Sequence, residues 1–247
     1  KTTPLPNGFT LREVLAADAT KNGYATLISG DEGAGTPQLV FTGGHGMEFP
    51  LGDARQVETQ GALVCQDWVG YGAINSDAWF AASDVPDGAL LAGTIHFIFA
   101  CYGGGCSKID TFREQGAAHL QISDADRTAA LPRTLLLHKN GGALAVIAHV
   151  DRAFACSFSL TKGKSQTQGF LSVLLSLMRG HRAGNALDLF NSRWGAISSL
   201  LADALSNQTV PPTSDDRLFQ LWVSRDDARN YLLLGDPAVR LAPVKVA

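Results

Sequence analysis

From residue 23 onward, short apolar runs alternate with Gly, Asp and Pro punctuation: "YATLISG", "PQLVFTGGHG", "GALVCQDWV", "TIHFIFACYGGG" and "GALAVIAHVD". Several are nearly continuous in apolar residues, which suits parallel strands covered on both faces better than half-exposed ones. Between and after them the period changes. Leu187, Phe190, Trp194, Ile197, Leu201 and Leu205 recur at three- and four-residue steps, which predicts a core-facing helix over 184–206. A second helix is predicted from about Gln166 to Met178, and a third within "DRTAALPRTLLLHKNG", leading into a strand at 143–149. Strands alternating with helices predict an α/β sandwich with a mostly parallel central sheet, helices on both faces and a site at the carboxyl ends of strands.

The pattern also divides the chain. Residues 1–22 hold two prolines and the amphipathic piece "TLREVLAADA", expected as an N-terminal extension carrying an entry helix, with one domain over 23–247. Residues 106–128 are polar and mixed in charge and are expected to form a mobile insert. The chain starts at Lys1 without a secretory leader pattern, so a processed form or a piece of a longer protein is expected, and with it an upstream regulatory domain or partner chain.

Composition narrows the function classes. Apolar residues make up 45% and charged ones 17% of 247 residues, enough to bury a full core and too little charge for a disordered chain. A formal net charge of -3 argues against a nucleic-acid partner. The longest apolar candidate, "GFLSVLLSLM", falls short of the roughly 18 residues a membrane span needs. The four cysteines, Cys65, Cys101, Cys106 and Cys156, are too sparse for a disulfide framework and show no zinc spacing, so no metal or organic cofactor is expected. The same sparseness tilts the expected location to the cytoplasm, with secretion as the alternative.

Two strand ends carry chemistry. His45 follows "LVF" inside "GGHGM", and Cys101 follows "HFIFA" and precedes Gly103, Gly104 and Gly105. Glycine in such density clears room for a close backbone approach. A thiol with a pKa near 8.5 is only slightly ionised at neutral pH, and a neighbouring histidine supplies the missing base. With a substrate carbonyl between them, the N–H groups of Gly46 and Cys101 would face the developing oxyanion, a contribution of about 3 kcal/mol per donor.

A caspase signature reads Q-A-C-[RQG]-G with its histidine about 50 residues upstream; here "FACYG" follows His45 by 56 residues. The chain resembles the caspase-like (clan CD) cysteine peptidases, most closely the gingipain family and the bacterial CHAT-domain peptidases. "LAVIAHVDRAFACSF" and the closing "NYLLLGDPAVRLAP" resemble gingipain-type segments, so the likeness spans about residues 23 to 243. It implies a caspase-like three-layer sandwich, a cysteine endopeptidase acting on proteins or peptides, His45 as acid/base, Cys101 as nucleophile, and Gly46 with Cys101 as the oxyanion site. Phe99 and Tyr102 depart from the caspase pattern and put its preference for aspartate in doubt.

The resemblance also places Asp151 and Phe154 where clan members build part of the primary specificity pocket. A carboxylate there implies cleavage after Arg or Lys, Phe154 walling the aliphatic stem; the alternative is that Asp151 caps a turn or pairs with Arg152. Asp31 and Glu32 are further acidic candidates. Lys108, Arg113 and Arg127 in the polar insert would then be sites of self-processing. His96, His119 and His149 read as satisfied core histidines, Cys106 as a packing cysteine. "YGGGCSK" does not fit the phosphate-loop pattern. The rival function is a catalytically inactive interaction module on the same scaffold.

Overall fold

The structure, a computed structural model, describes residues 4–30, 35–110, 120–154, 167–206 and 213–243, together with the strand backbone at 159–160 and 164–165. In chain order the regular elements are α1 (Lys21–Ser29), β1 (Leu39–Gly43), α2 (Arg55–Thr59), β2 (Leu63–Val64), β3 (Trp79–Phe80), β4 (Ile95–Phe99), β5 (Gly105–Cys106), β6 (Arg127–Thr128), α3 (Ala130–Leu136), β7 (Ala145–His149), β8 (Ser159–Leu160), β9 (Lys164–Ser165), α4 (Gln168–Met178), α5 (Ala183–Leu205), α6 (Asp215–Arg229) and β10 (Tyr231–Gly235).

β1, β4, β7 and β10 form a four-stranded sheet in that order, β1–β4 and β4–β7 parallel, β7–β10 antiparallel. The two central strands are buried on both faces, and alternation along them sorts side chains into separate cores. Ile95 and Phe97 of β4, with Ala145 and Ile147 of β7, pack against Phe170, Val173 and Leu177 of α4 and Ala183, Ala186 and Phe190 of α5. Ile98, Val146 and Ala148 face the other way, onto Ile28 of α1 and Leu131 and Leu135 of α3. The protein is therefore α/β, with a mixed, mostly parallel sheet and helices against both faces.

Several expectations need correction. "YATLISG" is not a strand but most of α1, begun by Thr20, whose Oγ1 accepts from the Gly23 N–H at 3.0 Å. "GALVCQDWV" contributes only β2, which pairs antiparallel with β3 outside the main sheet. "TLREVLAADA" forms no entry helix beyond a single 3₁₀ turn at Ala16–Asp18, with Leu11 and Leu15 exposed; one face of apolar residues without a surface to bury it does not hold so short a helix. Along α5, Phe190 and Leu201 are buried as the period requires, but Leu205 is half exposed. Its second half packs on α6 through Ile197, Leu201 and Ala204 against Leu218 and Leu221. α6 is not among the helices expected from the hydrophobic pattern. Its signal was the cap: Ser214 Oγ accepts from the Arg217 N–H at 3.4 Å, with Asp215 and Asp216 in the first turn.

The insert is anchored at both ends, because β5 pairs with β6 and Ile109 bridges Gln121. Arg113, His119, Cys156, Asp31 and Glu32 lie outside the described residues. Among the described residues, no helix is long and apolar enough to cross a membrane.

Candidate active site

β1 and β4 run parallel and in register to the pair Gly43–Phe99, so the segments that leave them emerge side by side at one end of the sheet. The Gly44 N–H donates to the Phe99 carbonyl at 3.0 Å and carries the pairing one step further. Beyond it Gly46 touches Cys101. A Cβ on Gly46 would stand 1.9 Å from the Cys101 carbonyl oxygen and 3.1 Å from its nitrogen, so only glycine permits the approach. Gly61 does the same one residue later: with φ +79, its Cβ would lie 2.1 Å from the Tyr102 oxygen.

The segment carrying His45 is fixed from its other side. The Val64 N–H donates to the His45 carbonyl and the Met47 N–H to the Ala62 carbonyl, each at 2.9 Å. In this antiparallel bridge the Gly46 N–H takes no part. Neither the Gly46 nor the Cys101 N–H donates to a protein carbonyl among the described residues. His45 is exposed.

Cys101 is half-buried, with its Sγ 3.5 Å from the Ala153 carbonyl. Burial pushes its thiol up, the Ala153 contact opposes that, and the Glu48 carboxylate adds to it. Burial thus favours the protonated thiol at Cys101, and ionising it calls for a base beside it. Cys106, by contrast, is buried in β5 with Gln60 Nε2 3.9 Å from its sulfur, and burial moves its thiol to about 11.

The glycine run shapes the turn that follows Cys101. The Gly103, Gly104 and Gly105 N–H groups donate to the carbonyls of Ala100, His149 and Tyr102 at 3.2, 2.8 and 3.1 Å, and are occupied by protein rather than turned toward a phosphate. Tyr102 and Asp151 both adopt left-handed backbone, φ 58° and 63°, uncommon for residues with a Cβ. They hold each other: the Tyr102 N–H donates to the Asp151 carbonyl at 2.6 Å, and the Asp151 N–H to the Gly105 carbonyl at 3.0 Å. The turns after β4 and β7 are thus zipped together.

Asp151 does lie beside the turn that follows Cys101, but not as the open floor of a cleft. It is 4% exposed, and its Oδ1 and Oδ2 accept from the N–H and Oγ of Ser107 at 2.6 and 2.7 Å. Arg152 turns away from it, to Asp110 at 2.5 Å and to the Tyr102 hydroxyl at 3.2 Å. The Phe154 N–H donates to Asp227 Oδ1 at 3.2 Å, and buried His149 places Nε2 3.2 Å from the same oxygen. Asp227 lies on α6, the helix that the hydrophobic pattern does not announce. His96 is fully enclosed, as expected of a core histidine.

Among the described residues no three His, Cys, Asp or Glu side chains converge as a metal ion would need. Compared with protein-family models, with curated proteins and with solved structures, the chain matches none.

Proposed function

We propose that this chain is a cysteine endopeptidase of the caspase-like type, its domain spanning 23–247, which cleaves peptide bonds through a His45/Cys101 dyad. The observation that carries the reading is the seating of Gly46 against the Cys101 backbone at the ends of two adjacent parallel strands. It sets a histidine-bearing and a cysteine-bearing turn in contact and leaves two neighbouring N–H groups without protein carbonyl partners among the described residues. In the proposed reaction His45 takes the thiol proton as Cys101 Sγ attacks the substrate carbonyl, and the Gly46 and Cys101 N–H groups donate to the oxyanion. Collapse releases the amine, which takes its proton from His45, and leaves a thioacyl-enzyme; water then attacks with His45 as base and frees the acid and the thiol.

The proposed preference is for Arg or Lys on the amino side of the scissile bond. Asp151 contributes to it as a buried carboxylate fixed by the neutral donors of Ser107, with no cationic side chain paired to it among the described residues. The proposed setting is the cytoplasm, with protein or peptide substrates. A catalytically inactive interaction module is the second reading, favoured by the burial that raises the Cys101 thiol.

One experiment separates the two. Incubation with a peptidyl acyloxymethyl ketone carrying Arg or Lys, followed by mass mapping, should place the adduct on Cys101. Cys101→Ala should abolish labelling and turnover, Cys106→Ala should keep most of both, and His45→Ala should lower turnover by at least about 100-fold. Wild-type protein that stays unlabelled, or an adduct on Cys106, overturns the assignment.

A further inference from the structure

Directly after the nucleophile comes a tyrosine that is 1% exposed yet bonded to charged partners through its hydroxyl. Tyr102 OH donates to Glu48 Oε1 at 2.8 Å and accepts from Arg152 Nε at 3.2 Å. Arg152 Nη2 in turn donates to Asp110 Oδ2 at 2.5 Å. Glu48 stands three residues after His45, Tyr102 follows Cys101, and Arg152 sits between Asp151 and Ala153, whose carbonyl faces the Cys101 sulfur at 3.5 Å. One phenol therefore ties together the three turns that leave β1, β4 and β7.

We infer that Tyr102 is a positioning residue: its hydroxyl, held between Glu48 and Arg152, fixes the turn that presents Cys101 against the segment that carries His45. The inference rests on Cys101 being the nucleophile proposed above. Packing alone would require only the aromatic ring. A buried hydroxyl facing one anion and one cation is a costly alternative to phenylalanine unless the bonds are made, and bonds to charged groups are the stronger kind. The backbone adds to the case, since an aromatic residue at φ 58° is strained and persists only where its surroundings over-determine it. Burial also pushes the phenol's ionisation up, so it remains a neutral donor to Glu48 across the working pH range. Glu48 and Arg152 act on the Cys101 thiol in opposite senses, and the phenol holds both at fixed places beside it.

The test reads Cys101 in two ways in the same protein: alkylation by iodoacetamide, mapped by mass with Cys65 and Cys106 as internal references, and inactivation by the peptidyl acyloxymethyl ketone. In Tyr102→Phe the freed turn should expose the sulfur, raising alkylation of Cys101 about fivefold, the worth of one net hydrogen bond, while Cys65 and Cys106 stay unchanged. The maximal inactivation rate should fall about tenfold, with a smaller change in the concentration giving half that rate. Glu48→Ala, at an exposed position, should follow Tyr102→Phe, and Glu48→Gln, which keeps an acceptor for the phenol, should recover most of the loss. An unchanged Cys101 alkylation rate in both Tyr102→Phe and Glu48→Ala overturns the inference. So does a parallel rise at all three cysteines, which would mean that the fold has loosened as a whole. Wild-type protein that resists the ketone while the alkylation pattern appears as expected would end the peptidase reading, and with it any catalytic purpose of the positioning, leaving only the anchoring of the Cys101 turn by Tyr102.

Discussion

His45 and His96 lie one strand apart and meet opposite environments, the first exposed beyond β1, the second 1% exposed within β4. Thr94 Oγ1 donates to the Leu91 carbonyl at 2.7 Å and so accepts from His96 Nε2 at 3.2 Å, which leaves Nδ1 to accept from the Tyr24 hydroxyl at 3.3 Å. That arrangement suits the neutral ring, and burial lowers its pKa to about 4. A depressed histidine contributes stability that is complete above its unfolded value and is lost as pH falls from about 6.5 toward 4, here about 3 kcal/mol by the lower end. Urea unfolding at pH 7 and pH 4 should show that loss in the wild type and a loss smaller by about that amount in His96→Asn. Equal pH dependence of the two proteins would refute it. Burial was legible for His96 because it sits inside an apolar run. Its bond to Tyr24 was not, since that residue is 72 positions away.

At the scale of elements, the turns after β4 and β7 act as one unit, joined by Tyr102 N–H to Asp151 and Asp151 N–H to Gly105. Asp151→Asn probes it gently, because asparagine tolerates φ 63° and keeps an acceptor for the Ser107 N–H while removing the charge. Profiling with fluorogenic peptides varied on the amino side of the bond should show the preference for Arg and Lys reduced at least about tenfold, the selectivity of a lost charge partner. Retention of that preference in Asp151→Asn would remove Asp151 from recognition and leave the dyad intact. The same elements show the limits of the insert as a self-processing site. Lys108 and Arg127 lie in paired backbone, the Lys108 carbonyl accepting from Ile122 and Ser123 and Arg127 lying in β6 opposite β5. Cleavage after either requires local opening first.

Across the whole molecule, the sheet separates two cores, and Phe97 lies at the centre of one, against Phe41, Phe170, Phe190 and Tyr231 with ring centroids 5.3 to 6.2 Å away. Phe97→Ala should cost about 3 to 5 kcal/mol, a large share of a domain's stability, and should expose Cys65 and Cys101 to alkylation together as the whole unit opens. Leu137→Ala, at a residue 81% exposed, should stay within about 0.5 kcal/mol. Chemical unfolding checks both. A Phe97→Ala protein that unfolds like the wild type would mean that the two cores do not share one cooperative transition.

What the sequence determined by itself was whatever depends on local pattern. Short apolar runs placed β1, β4 and β7, the 3.6-residue period placed α4 and α5 to within two residues, and strand-end His-Gly and Ala-Cys pairs singled out His45, Gly46 and Cys101. Local pattern failed where a segment's partner decides its state. "YATLISG" has strand-like composition but becomes helix because Thr20 caps it and the face of the sheet receives Ile28. α6 has too few apolar residues to announce itself and is held by α5. Only the tertiary structure decided which donors claim which carboxylates. Asp151 goes to Ser107, Arg152 to Asp110 and Asp227 to the Phe154 N–H, pairings that span 42 to 73 residues of chain. The physical reason is that a hydrogen bond is settled by ångström-scale proximity in the folded chain, and spacing along the sequence carries no record of it.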